Sequence, residues 1–430
     1  MTLSPQNHTF CLRIHLWGLK RSMEFISGKV TLKDIFTQGN SWNLLWKDSA
    51  PDIRWSVLWN VRKTMGCKDI LGYHLYICPK CKSQKKVKHS CKSRFCSSCG
   101  KIAAEKWAEK SLTSMLDVEY AHLFFTLPQE FRIWILYNRK ILLDVLFRAV
   151  RETLLDYTQK RGYKPGIIMV MHTFGADIKW IPHLHVIFTM GGMNLNMTKW
   201  IRKNKLQKNA LMPMYRYRFL KYFAEAFSKE DFIIPKEYAH INTKETLTSW
   251  LSQFHNTYWH VHLGDSLKMA DPFVKYLSKY TKRPVIAESR IISCSKKEVI
   301  FEYMDKKAKA KKTVTMPIRI FLKRLLRHIP DINYRMIRQA GIFANRVSKS
   351  ILAKARELLG QKKKTLKKIT WREMIIKHYH YDPMKCKKCG TQMLLQDVKF
   401  AQLSQIKQQL ILVHGIILKK YHGVELAGFS

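Results

Sequence analysis

Residues 172–189 read HTFGADIKWIPHLHVIFT, two apolar segments joined by a polar connection. Alternate side chains of a β-strand share a face, so His183 and His185 in the second segment point the same way. Two imidazoles on one strand face can hold one metal ion. The stretch therefore predicts a β-hairpin with a candidate metal centre. His172, at the end of the first segment, and Asp177, in the connection, are the candidates for a third ligand.

The charge of the chain points to a polyanionic partner. Its 430 residues include 77 Lys and Arg against 31 Asp and Glu, a formal net charge of +46. Such a chain repels itself unless nucleic acid or an acidic membrane surface neutralises it. Aromatic residues make up 12% of the sequence, and side chains of this kind among Lys and Arg can stack on bases. This composition favours nucleic acid over a membrane.

The sequence also predicts where the protein works. It has no run of about 18 uncharged apolar residues, which argues against a membrane span, and its N-terminus lacks a signal-peptide pattern. Eight of the ten cysteines lie in or beside tight clusters, Cys67 included. Clustered cysteines favour metal binding in a reducing cytosol over disulfides. We therefore expect a cytoplasmic, nucleoid-associated protein.

Two Cys-x-x-Cys pairs with 14 residues between them, 82 to 95, predict a zinc module. Each pair presents two thiolates, and four thiolates complete a zinc tetrahedron. The expected ligands are Cys78, Cys81, Cys96 and Cys99, and the residues near enough to replace one or to form a second, partial site are Cys91, His74 and His89. Four protein ligands leave no open position, so this zinc is structural. The lysines around it predict a DNA contact.

The order of apolar segments predicts the fold. A buried strand over 121–127, a helix over about 131–160 and strands over 166–172 and around His183 form most of a ferredoxin-like sheet. The remaining patterns predict helices within 199–230, strands at 290–294, 298–304 and 311–316, and helices at 317–327 and 345–359. The expected class is α+β, a ferredoxin-like antiparallel sheet with helices, preceded by a small zinc-binding module.

Residues 271–284 predict a short helix with a tyrosine pair. Asp271 can cap it, and Pro284 ends it. Tyr276 and Tyr280 are four residues apart and therefore share a face of this helix. They are either catalytic residues or core residues whose hydroxyls reach water. The neighbouring cations, which would bind DNA, are Lys275, Lys279, Lys282 and Arg283. Tyrosines beside metal-binding histidines suit phosphodiester transesterification, in which a tyrosine oxygen attacks phosphorus.

The C-terminal part contains half of a zinc site. A basic run at 362–368 separates it from the rest, and Cys386 and Cys389 form one knuckle that needs two more ligands. His378 and His380 are the nearest candidates, so Cys386, Cys389 and His380 are a possible second zinc site. The expected domains are an N-terminal helical region (1–70), the zinc module (71–110), the catalytic domain (115–330), a basic helical region (331–370) and a tail (371–430).

Several motifs occur in register over roughly residues 50–395. They are LGYH (71–74) before CPKC, CKSRFCSSCG (91–100), HTFG (172–175) leading to PHLH (182–185), YLSKYTKR (276–283), FEY (301–303), GIFANR (341–346) and DPMKC (382–386). Together they resemble the HUH-type rolling-circle transposases, in particular the insertion-sequence family numbered ninety-one. The second knuckle departs from relatives that have proline after the first cysteine, and residues beyond about 400 do not match.

The resemblance implies a mechanism. One of the nucleophiles Tyr276 and Tyr280 would nick single-stranded DNA at an element end, keep the 5′ phosphate and leave a free 3′-OH, and the other would allow a second strand exchange. The histidines would hold Mg²⁺ or Mn²⁺, the cysteine module would hold structural Zn²⁺, and the partners would be single- and double-stranded DNA. A plasmid or phage replication initiator, a relaxase, and a non-catalytic zinc-ribbon DNA-binding protein are the alternatives.

Overall fold

The computed structural model describes residues 25–27, 30–49, 53–67, 71–202, 206–267, 274, 284–305, 308–345, 348–363 and 370–400. The first part contains β1 (Phe25–Ser27), α1 (Leu32–Thr37), α2 (Ser41–Ser49), α3 (Trp55–Met65), β2 (Gly72–Ile77), β3 (Gln84–Lys88) and α4 (Ser97–Ser114). The middle part contains β4 (Tyr120–Phe125), α5 (Phe131–Tyr137), α6 (Arg139–Gln159), β5 (Tyr163–Phe174), β6 (Trp180–Asn194), β7 (Trp200–Arg202), α7 (Lys208–Phe227), α8 (Lys244–Ser252) and β8 (Val261–Leu267). The last part contains β9 (Ile291–Ser295), β10 (Glu298–Asp305), β11 (Ala310–Pro317), α9 (Ile318–Arg327), β12 (Ile337–Gly341), α10 (Ser348–Leu358), α11 (Trp371–Tyr379) and β13 (Leu394–Phe400).

The central sheet has six strands in the order β12-β5-β6-β4-β8, and β7 pairs with β6. Every pairing in it is antiparallel. Helices α5 and α6 connect β4 to β5, and β6 lies between these two strands. The predicted combination of helices with an antiparallel sheet is confirmed. The predicted strands over 121–127 and 166–172 and around His183 are β4, β5 and β6.

The two faces of this sheet have different partners. Leu184, Val186 and Phe188 of β6 are buried in a core shared with α5, α6, α7 and α8. The alternate residue Ile187 joins a second core with Ala108 of α4 and residues of α10. Side chains in a strand alternate between faces, so His183 and His185 share the face of Ile187. The candidate metal centre thus lies on the face covered by α4 and α10.

A glycine pair explains part of the GIFANR motif. Gly341 and Gly166 are direct partners in the β12–β5 ladder. Gly341 has φ +62°, a conformation that favours glycine, and a Cβ there would lie 1.8 Å from the carbonyl oxygen of Pro165. A Cβ on Gly166 would lie 2.4 Å from the ring of Phe343. The motif therefore closes the edge of the central sheet. β12 also means that the region 331–370, predicted as helical, contributes a strand to the central sheet.

A separate core lies between α1, α2, α3 and the four-stranded sheet β1-β9-β10-β11, with α9 packed on it. The predicted strands and the helix over 290–327 are β9, β10, β11 and α9. Phe95, from the cysteine-rich segment, and Ile178, from the β5–β6 turn, are both buried in this core. The N-terminal region, predicted as helical, also differs from the structure, since β1 pairs with β9. The core therefore connects the N-terminal helices to the hairpin that carries the histidines.

A three-stranded sheet in the order β13-β2-β3 corrects the predicted separate tail. Hydrogen bonds between β13 and β2 join residues 394–400 to residues 72–77 in antiparallel register. The tail was predicted to be separate because a long basic run precedes it. Pairing between strands more than 300 residues apart leaves no pattern in either local sequence.

In the described parts of the chain, no helix is long and apolar enough to cross a lipid bilayer.

Candidate functional site

The β5–β6 hairpin brings three histidines together. His172 and His183 are direct cross-strand partners, and His185 lies two residues further along β6. One ligand nitrogen from each of the three lies within 4.8 Å of the others. Asp177, the alternative third ligand, instead forms an ion pair with Lys179 at 2.7 Å in the turn. The geometry therefore favours three imidazoles over two imidazoles and a carboxylate.

Hydrogen bonds orient two of these rings toward a common point. His183 Nδ1 lies 2.7 Å from the carbonyl oxygen of Ile181, which can only accept, so Nδ1 carries the proton and Nε2 keeps a lone pair. That Nε2 lies 3.1 Å from Nε2 of His185. Adjacent nitrogens on an octahedral cation at about 2.1 Å would be about 3 Å apart. The rings therefore fit one divalent cation between them.

His122, on β4, is a site residue that the sequence did not reveal. Its Nε2 lies 3.0 Å from Nδ1 of His185. A metal-binding histidine usually has its second nitrogen hydrogen-bonded, which fixes the ring and the tautomer. His122 Nε2 would accept a hydrogen bond from His185 Nδ1–H, an arrangement that directs the lone pair of His185 Nε2 toward a metal ion. His122 pairs with Ile187 in the β4–β6 register, which could not be read from either segment alone.

Burial favours the neutral form of His172 and His122, which is the form that binds metal. Desolvation lowers the pKa of His172 far below its usual value, and coulombic interactions with His183, His122 and Arg94 lower it further. Burial lowers the pKa of His122 to about 4, with a smaller effect from His262. Arg94 belongs to the loop between Cys91 and Cys96 and places a guanidinium near His172. Its own pKa, lowered by burial to about 10, leaves it positively charged at neutral pH.

The predicted tyrosine helix lies outside the described residues. This applies to the expected nucleophiles and DNA-binding residues, Tyr276, Tyr280, Lys275, Lys279, Lys282 and Arg283. Within residues 268–283 only Val274 is described, and it is helical and fully buried. It packs in the core that contains Ile168, Val170 and Ile187, on the histidine-bearing face of the sheet.

A further buried histidine, His328, holds the β5–β6 turn in place. His328, which follows α9, lies 3.0 Å from the carbonyl oxygen of Ile178 through Nε2 and 3.0 Å from Thr173 Oγ1 through Nδ1. The carbonyl accepts, so Nε2–H donates to Ile178 and Nδ1 accepts from the threonine hydroxyl. Ile178 has φ +57°, a rare conformation for a β-branched residue. His328 therefore helps to fix a strained turn beside the candidate metal centre.

The His328→Gln variant is expected to be less sensitive to acid than the wild type. Burial lowers the folded-state pKa of His328 to about 3, whereas an unfolded histidine titrates near 6.5. Between these values the unfolded chain binds more protons, so stability falls as the pH falls. Glutamine can keep both hydrogen bonds without titrating. Chemical denaturation at pH 7.5 and 5.5 should show an acid loss smaller by about 1.4 kcal/mol in the variant. Equal losses in both proteins would contradict the assignment.

The structure places the cysteines in two groups of four, which corrects the predicted ligand set. One group is Cys67, Cys91, Cys96 and Cys99, and the other is Cys78, Cys81, Cys386 and Cys389. The predicted quartet is divided because the β2–β3 hairpin separates its halves. Cys78 and Cys81 lie at the turn of this hairpin, whereas Cys91 follows its open end. The cross-strand pairs Tyr73–Lys88 and Ile77–Gln84 are about 14 Å apart along the strands.

His74 and His89, predicted as substitute zinc ligands, are hydrogen-bonded to each other instead. His89 Nε2 lies 2.9 Å from His74 Nδ1, and His89 Nδ1 lies 2.9 Å from the carbonyl oxygen of Leu71. His380 ends α11 in a left-handed conformation with φ +56°. Among the described residues, neither cysteine group includes a histidine. The structure therefore groups Cys386 and Cys389 with Cys78 and Cys81 rather than with His380.

Comparison with known proteins identifies the family. A family model described as "Transposase zinc-binding domain" matches residues 40–127, and one described as "Putative transposase" matches residues 166–350. The chain is 31% identical over 371 residues to the transposase for insertion sequence element IS801 of Pseudomonas savastanoi pv. phaseolicola. That alignment covers 84% of this chain and 88% of the relative. The chain belongs to the IS91 family of transposases.

A second relative of this transposase is the putative transposase y4qJ of Sinorhizobium fredii, 27% identical over 297 residues. That alignment covers 67% of the transposase and 75% of the relative. No solved structure matches the chain. The zinc-binding family model includes the whole group of Cys67, Cys91, Cys96 and Cys99, whereas Cys386 and Cys389 lie beyond both models.

Proposed function

We propose that this transposase nicks and rejoins single-stranded DNA through 5′-phosphotyrosine intermediates in rolling-circle transposition. The observation that carries the proposal is the group of His172, His183 and His185, whose ligand nitrogens converge on one sheet face. The order of β5, β6, β4 and β8, with α5 and α6 as a crossover, supports a ferredoxin-like HUH fold. Burial of Val274 on the same face supports placing the tyrosine helix above the histidines.

The chemistry is a transesterification with tyrosine as the nucleophile. The phenolate oxygen of Tyr276 or Tyr280 forms a bond to phosphorus, the bond from phosphorus to the 3′ oxygen breaks, and that oxygen takes a proton to become a 3′-OH. Attack by a 3′-OH on the phosphotyrosine reverses the step and frees the tyrosine. Mg²⁺ or Mn²⁺ on the histidines would polarise the phosphate and stabilise the departing oxygen. The phosphodiester bond energy is thereby kept for rejoining.

Positive side chains would offset the charge of the phosphate. Lys275, Lys279, Lys282 and Arg283 on the tyrosine helix are the proposed DNA contacts from that side. Arg94 is a further candidate because its guanidinium lies near His172. A tyrosine has an ordinary pKa of about 10, so a strongly positive environment is needed to favour the phenolate that attacks.

The three-stranded sheet offers a surface for binding DNA. Lys86 Nζ lies 5.0 Å and Lys399 Nζ 6.0 Å from the ring centroid of Tyr73, and Lys88 is its cross-strand partner. Lysines neutralise phosphates, and an aromatic ring among them can stack on a base. We propose that four of the six cysteines within the zinc-binding family match, Cys67, Cys91, Cys96 and Cys99, bind structural zinc beside this sheet. Sγ of Cys91 lies 3.7 Å from that of Cys99, and Sγ of Cys67 lies 3.8 Å from that of Cys96.

Covalent capture tests the catalytic assignment. The full-length protein is incubated with a single-stranded oligonucleotide that carries an element end, with Mg²⁺ or Mn²⁺, and resolved on a denaturing gel. The wild type should form a denaturant-resistant protein–DNA adduct, and the Tyr276→Phe/Tyr280→Phe variant should form none. Tyr217→Phe, on an exposed tyrosine of α7, is the matched control and should retain the adduct. Adduct formation by the double variant would refute the proposal.

His122→Phe is expected to weaken metal binding without removing a ligand. Loss of the hydrogen bond to His185 frees that ring to rotate, which typically lowers metal affinity by about 10- to 100-fold. Nicking should therefore need a correspondingly higher Mn²⁺ concentration for half-maximal rate, with near-normal activity at saturation. Metal titrations of the nicking rate measure this shift, and His122→Gln should partly restore it. A rate reduced equally at every metal concentration would instead indicate damage to the fold.

A further inference from the structure

Cys78 and Cys81 lie beside Cys386 and Cys389, although more than 300 residues separate the two pairs in the sequence. Sγ of Cys78 lies 3.4 Å from Sγ of Cys389, and Sγ of Cys81 lies 3.5 Å from Cys386 and 3.6 Å from Cys389. All four sulfur atoms lie within 4.8 Å of one another. Four thiolates at about 2.3 Å from zinc would be about 3.8 Å apart. The three separations of 3.4 to 3.6 Å are close to this value, so the four thiols are near enough to share one zinc ion.

The two Cys-x-x-Cys loops have the same backbone geometry. In the first, Lys82 N–H donates to Cys78 O at 3.0 Å and Cys78 N–H donates to the carbonyl oxygen of Ser83 at 2.9 Å. In the second loop, Gly390 N–H donates to Cys386 O and Cys386 N–H donates to the carbonyl oxygen of Thr391, both at 2.9 Å. The fourth residue after each first cysteine, Lys82 or Gly390, has a positive φ of 57° or 73°. The left-handed conformation is unfavourable for lysine, yet Lys82 adopts it. The first loop therefore keeps the same shape as the second, and each presents two thiols on one side.

Beyond the β13–β2 ladder and an ion pair of Lys377 with Glu109 at 2.8 Å, the C-terminal segment has little apolar packing beside the cysteines. Its apolar core beside the cysteines consists of Met393 packed on Cys78 and Cys386. Outside this core the β13 side chains Leu394, Leu395 and Phe400 are 52–77% exposed. One hydrogen bond of 2.8 Å joins Lys85 Nζ to the carbonyl oxygen of Pro383. A small unit with so small a core usually depends on a disulfide or a metal for stability.

We propose that Cys78, Cys81, Cys386 and Cys389 bind a second structural zinc, which fastens the C-terminal segment to the N-terminal zinc module and completes the three-stranded sheet. Cys78 and Cys389 are 311 positions apart in the sequence, so the ion joins segments that precede and follow the central sheet. The inference does not depend on the nicking reaction. It concerns the assembly of the protein, and metal content measures it directly.

Zinc content of the full-length protein tests the proposal. Mass spectrometry of the metal should find two zinc ions per wild-type chain, and one in the Cys386→Ser/Cys389→Ser variant. The matched control Lys387→Ser/Lys388→Ser alters the same loop without removing a thiol and should keep two. Cys389→His replaces one ligand by another and should also keep two. Two zinc ions in the Cys386→Ser/Cys389→Ser variant would overturn the proposal. A wild type with a single zinc ion would also overturn it, if the variant keeps that ion.

Hydrogen exchange gives a second readout that separates local release from general unfolding. In the Cys386→Ser/Cys389→Ser variant, amides of β13 should exchange at least about 100-fold faster, whereas those of β5 and β6 should keep their protection. Unchanged exchange of β13 would overturn the proposal. If the variant is insoluble, Co²⁺ titration of the metal-free wild type decides instead. Saturation of the thiolate charge-transfer band at two equivalents supports the second site, and saturation at one equivalent refutes it.

Discussion

His185→Ala is expected to lower the rate of single-strand nicking by at least about 10³-fold, equivalent to about 4 kcal/mol of transition-state stabilisation. His185 is central to the group, because its Nε2 faces Nε2 of His183 at 3.1 Å and its ring centroid lies 3.9 Å from that of His172. Alanine removes one ligand and also the partner of His122. Single-turnover nicking of a single-stranded element end with saturating Mn²⁺ measures the effect.

The control for this experiment is His262→Ala. His262 lies on β8, next to β4, and its ring is 5.6 Å from that of Phe124, but it is not one of the three grouped histidines. Its nicking rate should stay within about twofold of the wild type. Since His185 is buried and His183 is only partly buried, His183→Ala serves as a second test that disturbs the core less. Near-normal nicking by both His183→Ala and His185→Ala would remove the basis for a histidine metal centre.

Local sequence predicts the centre of this site well, because its geometry is local. Strand alternation places His183 and His185 on one face, and a short connection makes His172 the cross-strand partner of His183. The helices and strands between 290 and 327 are equally local, since short apolar runs and polar turns define them.

The residues missed by sequence reasoning are those placed by long-range register. His122 reaches His185 from a strand 63 residues earlier, and His328 reaches Thr173 across 155 residues. The cysteines show the same limit. Spacing alone favours Cys78 and Cys81 with Cys96 and Cys99, but a rigid hairpin keeps these pairs apart, and the thiols of the C-terminal knuckle take their place. Pairing between chain ends is a property of the fold and leaves no periodic signal.

The second large effect is expected for Cys91→Ser, which should lower the free energy of unfolding by about 5 kcal/mol or more. Structural zinc contributes about 10–16 kcal/mol of apparent binding energy in small domains, comparable to the whole stability of a typical protein. The loop after Cys91 is also part of the N-terminal core. Ser93 Oγ lies 2.7 Å from Thr64 Oγ1 and 2.8 Å from the carbonyl oxygen of Asn60. Phe95 is 2% exposed and packs 5.2 Å from Phe36.

Thermal unfolding and zinc content of purified Cys91→Ser measure this effect, with Cys294→Ala as the cysteine control. Cys294 is fully buried in β9 and belongs to neither group of four, so its loss should cost about 1 kcal/mol and no zinc. Equal stability of the two variants would show that the first group holds no structural metal.

The comparison with Cys386→Ser is equally informative. The first group is joined to the core of α1, α2 and α3 through Phe95, whereas the second holds an exposed sheet, so Cys91→Ser should destabilise the protein as a whole and Cys386→Ser should release only its C-terminal segment.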